Sequence, residues 1–99
     1  MPSQAAMDAA IAMNAELDYS LRVTGLVDRR LYRRLVEAYR YDAASTVEWA
    51  QAKLKILRDR VARGESVSLF DPATEYQIYV ETEDQLRAWL ASNSLWLSQ

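Results

Sequence analysis

Only two glycines, Gly25 and Gly64, and two prolines, Pro2 and Pro72, interrupt a chain of 99 residues. Glycine and proline are where a backbone most readily turns or must leave a helix. A chain with so few of them is predicted to consist of long helices and few loops. Half of its residues are apolar (51%) and 26% are charged, a balance that supports a packed core rather than disorder. At this length one domain is expected over residues 1–99.

The remaining punctuation divides the chain. Ser3 is a plausible N-cap for a first helix over 3–24, with Met7, Ala10 and Ile11 on one face beside Met13, Leu17 and Leu21, and Gly25 as terminator. Asp28 can cap a second helix carrying Leu31, Leu35, Ala38 and Tyr39 as its apolar stripe, with Val27 stapled onto Tyr32. Asp42-Ala43-Ala44 is a weak break. Ser45 with Glu48 reads as a capping box, so a third helix is expected over 46–63. Its positions Val47, Ala50, Leu54, Leu57 and Val61 step by three and four, a seam that is read as core because it spans barely two heptads. Gly64 then sits where a helix-ending glycine belongs.

Beyond Gly64 the period shifts to two. Val67, Leu69 and Phe70, then Tyr76, Ile78 and Val80, form two short strands around an Asp71-Pro72-Ala73-Thr74 turn. Thr82 with Gln85 is a capping box for a last helix carrying Leu86, Trp89 and Leu90, ending near Asn93. The expected fold class is helix-dominated α+β: three α-helices, a two-stranded antiparallel β-hairpin and a C-terminal helix. Residues 1–44 read as a helical N-terminal extension and 45–99 as a helix–hairpin–helix unit.

Histidine and cysteine are both absent. That removes Cys/His zinc sites, cysteine nucleophiles, Ser-His-Asp triads, histidine bases and disulfides. Glu81, Glu83 and Asp84 fit no calcium loop, and acidic residues in a first helical turn are explained by the helix dipole. No catalytic residue, metal or cofactor is expected, and no enzymatic activity. No basic leader precedes the alanine-rich start, and the longest uncharged run, Ala88–Gln99 with its single stretch of twelve residues, is too short to span a bilayer. A soluble protein is expected, cytoplasmic or assembled in a virion.

The net charge of −2 conceals a segregated layout. Residues 1–21 carry −3, residues 22–63 carry +6 and residues 64–99 carry −5. A basic middle between acidic ends implies either internal neutralisation or a head-to-tail interaction surface. Arg29, Arg30, Arg33 and Arg34 concentrate positive charge within two turns. They could bind phosphates or a partner's carboxylates, or form a solvated face with Glu37 pairing Arg33 and Arg34. A helix-turn-helix would present Thr46, Val47, Glu48, Trp49 and Gln51 to DNA, a set without a cation, which argues against base reading. Tyrosine, tryptophan and arginine together suit a protein interface. The candidate partner-binding residues are therefore Arg29, Arg30, Arg33, Arg34, Tyr41 and Lys55, with the terminal Leu95, Trp96 and Leu97.

Over residues 46–93 the order is helix, glycine, hairpin, Thr-capped helix, carried by Leu54, Leu57, Ala62, Gly64, Val67, Leu69, Ile78, Val80, Thr82, Leu86 and Leu90. This resembles the head–tail joining protein W family of lambda-like bacteriophages. The chain departs from that pattern in its Asp71–Thr74 turn and its additional N-terminal residues. The resemblance implies a ring-forming connector between portal and tail, contacting neighbouring copies and lying near DNA. Three functions follow as expectations: a non-enzymatic structural assembly protein, homo-oligomeric or ring-forming; a small regulatory or inhibitory binder of the adaptor or anti-defence type; and a nucleic-acid binder using the arginine run and the Lys53–Arg63 face. None needs a membrane or a small-molecule substrate.

Overall fold

A computed structural model describes residues 3–93. Helix α1 spans Gln4–Tyr19 and continues into a π-helical turn, Ser20–Thr24. Strand β1 is Leu26–Val27, α2 is Arg29–Tyr41 and α3 is Ala43–Ala62. Strands β2 (Val67–Asp71) and β3 (Tyr76–Val80) precede α4 (Glu83–Ala91). The molecule is helix-dominated with a small mixed sheet.

Local chemistry sets most boundaries. Ser3 accepts from the Ala6 N–H, Asp28 from the Leu31 N–H, and Thr82 with Gln85 closes a reciprocal capping box. Each satisfies donors that a helix start leaves unpaired. Gly25 ends the first helical stretch at φ +65°, and Gly64 follows α3 at φ +77°. Both are left-handed positions, where a Cβ is disfavoured. Gly25 is doubly constrained, because a Cβ there would lie 2.7 Å from Nε of Arg60. The Arg60 guanidinium crosses over Gly25 to donate to the carbonyls of Arg22 (3.3 Å) and Ser66 (3.4 Å). It ties the end of the first helix to the entry of β2.

Two expectations need correction. The hairpin is not two-stranded in isolation: β1 pairs parallel with β2, Leu26 opposite Ser68 and Val27 opposite Leu69, giving the order β1-β2-β3. Two residues are too few to show a period, and their partner lies far along the chain, so nothing local signals the strand. The break before α3 falls at Asp42, not Ser45. Asp42 has φ −145° and ψ 88° and accepts from both the N–H (3.1 Å) and the hydroxyl (2.9 Å) of Ser45. The hydrogen bond from the Ser45 N–H holds the Asp42 carboxyl below its ordinary pKa.

One core joins all these elements. Leu17 of α1, Leu35 of α2, Leu57 of α3, Leu69 of β2 and Leu86 of α4 are fully buried, with Leu21 of the π turn among them. Each such side chain contributes about 1.5–3 kcal/mol by leaving water. A polar chain closes one edge. Trp89 Nε1 donates to the Phe70 carbonyl (3.0 Å), Asn93 donates to the Trp89 carbonyl (2.7 Å), and the Tyr32 hydroxyl donates to Asn93 Oδ1 (2.7 Å). The Tyr32 and Phe70 rings meet at 5.4 Å. Burial, with the Asp71 charge adding to it, raises the Tyr32 pKa.

Candidate functional site

The arginine run on α2 is largely bound to the protein's own carboxylates. Arg30 lies 2.6 Å from Glu16 on α1, whose other carboxylate oxygen takes Arg34. Arg29 reaches Glu75 beside the hairpin turn (3.3 Å). On α3, Lys53 bonds Asp18 of α1 (3.1 Å), Arg58 bonds Glu83 of α4 (3.2 Å), and Lys55 pairs along its own helix with Asp59 (3.0 Å). The Arg30 hydrogen bond, with Arg34 adding to it, outweighs partial burial and holds the Glu16 carboxyl below the usual carboxylate range. Lys53 first, then Arg22, does the same for Asp18. Much of the segregated charge is thus neutralised internally.

Among the described residues, Arg33 and Arg40 have no ion pair, and Glu37 pairs neither Arg33 nor Arg34. Arg33 and Arg40 flank a groove of about 470 Å³ between α2 and the hairpin turn, floored by Tyr32, Val36, Phe70 and Pro72. Tyr41 is exposed at the end of α2, beside a second crevice that Met13, Ala10 and Arg34 help to line. Lys55 points to solvent. The structure therefore brings Arg30 and Arg34 together on Glu16, while Lys55 pairs with Asp59 of its own helix. Leu95, Trp96 and Leu97 lie outside the described residues. Within those residues, no cluster of three or more potential metal ligands forms and no helix is long and apolar enough to cross a membrane.

Met7 and Ile11, expected on one apolar face beside Met13, Leu17 and Leu21, instead belong to an outward apolar row. Met7, Ile11, Tyr19 and Val23 are 48%, 66%, 64% and 59% exposed. With the exposed Ala15 they form a stripe at steps of four along α1 and its π turn. Met13, Leu17 and Leu21 take the buried side. Alanine hides this choice in the sequence, because a helix rich in alanine has apolar residues on every side. The clue was available in the acidic residues: Glu16 and Asp18 face α2 and α3, so the stripe keeps charge only near its ends, at Asp8 and Arg22. Two further tyrosines, Tyr76 and Tyr79, are exposed on the edge strand β3.

No protein-family model, curated protein or solved structure matches the chain.

Proposed function

We propose that the chain is a non-enzymatic assembly protein that acts through protein–protein contacts, as a connector subunit between a phage head and tail. The outward stripe of α1 carries this reading. Large apolar side chains at half to two-thirds exposure, repeated at four-residue steps along a helix, leave water only when another chain covers them. The element order over residues 46–93, with its glycine, hairpin and Thr-capped helix, supports the connector role. The nucleic-acid alternative has less support, because Arg29, Arg30 and Arg34 each engage a carboxylate of the same chain. The small regulatory or inhibitory binder is the alternative that remains.

Capture from the native source with identification of the partners tests the reading. Virion structural proteins, lost when Ile11 and Tyr19 are both changed to Asp, are the expected result. Regulators or defence proteins as the partners, or a strict monomer that engages no structural protein, would overturn it.

A further inference from the structure

We infer that α1 forms an antiparallel two-fold seam with α1 of a second copy of this chain. The inference rests on the assembly reading and names its first partner. The stripe Met7, Ile11, Ala15, Tyr19, Val23 is symmetric in sequence spacing about Ala15. Laid antiparallel with Ala15 on the dyad, Ile11 meets Tyr19 of the second copy and Met7 meets its Val23. In each case a smaller or flexible side chain meets a larger or branched one. Ala15 itself, with Ala12 beside it, has only a methyl group, so the two backbones can approach closely where they cross.

Charge selects the same arrangement. Asp8 and Arg22 each stand seven residues along the chain from Ala15, and both are exposed. In the antiparallel pair each Asp8 faces the other copy's Arg22. In a parallel pair like charges would oppose one another, which costs rather than contributes. Asp8 is available for this contact: it accepts only the Gln4 amide (2.9 Å) and has no ion pair among the described residues. Arg22 reaches it while keeping Asp18, which Lys53 also holds. The remaining acidic group of α1, Glu16, is tied to α2 and does not face the seam. The same patch serves both copies, so the contact closes on itself as a dimer instead of propagating.

The chain has no cysteine, which makes single-cysteine variants clean probes. Ala15, Ile11, Tyr19 and Ala88 are all exposed, Ala88 on α4 away from the stripe. On the dyad, Ala15→Cys is expected to link to itself on oxidation. Ile11 lies about 6 Å along the axis from the dyad, so two copies of Ile11→Cys stand about 12 Å apart, beyond disulfide reach. Ile11→Cys mixed with Tyr19→Cys is expected to link across the seam. Relative to Ala88→Cys at micromolar concentration, Ala15→Cys should give at least roughly tenfold more linked dimer, because a held pair has a millimolar effective concentration. Equal linking at all four positions overturns the seam. An oligomer by sedimentation without preferred linking at Ala15 overturns the seam and leaves the assembly reading standing. A monomer at every concentration overturns the seam, and the lack of any captured structural partner would then remove the assembly reading with it.

Discussion

Both sides of α1 and its π turn carry apolar side chains, where a surface helix ordinarily keeps them on one side. Its inner side carries Met13, Leu17 and Leu21 in the core, and beside them Glu16 and Asp18 bonded to Arg30, Arg34 and Lys53. Its outer side carries Met7, Ile11, Ala15, Tyr19 and Val23. Charge that would ordinarily face solvent is turned towards neighbouring helices, and apolar side chains that would ordinarily be covered face outward. The inner side is completed by its own chain; in the proposed seam a second copy completes the outer side. α2 shows the same logic from the other direction, since most of its arginines are engaged by the acidic residues of α1 and the hairpin.

The largest expected contrast between the sides is in stability. Leu17→Ala should destabilise by about 2–5 kcal/mol, since a fully buried leucine leaves both lost contacts and a cavity. Ile11→Ala should change the stability of the isolated fold by less than about 0.5 kcal/mol. Chemical denaturation of both variants at low protein concentration measures the difference, and equal losses would erase the distinction. Next in size is Gly25→Ala, expected to cost about 1–3 kcal/mol, because it forces a Cβ into a left-handed position and against Arg60. Thermal unfolding reads this directly.

Much of the inner frame was legible locally. Ser3, Asp28, Thr82, Gly25 and Gly64 act where they stand, since a cap or a left-handed glycine depends on a few adjacent residues. The β2–β3 hairpin was legible from its alternation. Strand β1 was not, because two residues carry no period and their register depends on β2. Asn93 read only as a helix end, whereas in the fold it joins Tyr32 to Trp89. The charge segments were visible as −3, +6 and −5, but neutralisation within one chain and attraction between chains give the same linear pattern. Packing of α1 on α2 and α3 decides between them for Glu16 and Asp18. The sidedness of α1 was hidden for a related reason: an alanine-rich helix does not mark its own inner face.

Tyr32→Phe should cost about 1–2 kcal/mol by leaving the buried Asn93 carbonyl without its donor, as urea denaturation would show. The ion pairs give a pH signature. Glu16 and Asp18 have depressed folded-state pKa values, so their stabilisation is complete above about pH 5 and is lost as pH falls through roughly 4 and below. The double variant Glu16→Gln, Asp18→Asn is expected to flatten that acid limb in thermal unfolding scans. An unchanged limb would show that these carboxylates do not couple α1 to α2 and α3.

Sedimentation equilibrium of a charge-exchange series tests most directly whether the outer side of α1 receives a second copy. Asp8→Arg alone and Arg22→Asp alone should each weaken the dimer, since each places like charges across the seam. The double variant, with both changes, should restore association towards that of the unaltered chain. If all four proteins associate equally, or if the unaltered chain stays monomeric throughout, the outer side of α1 is not the seam.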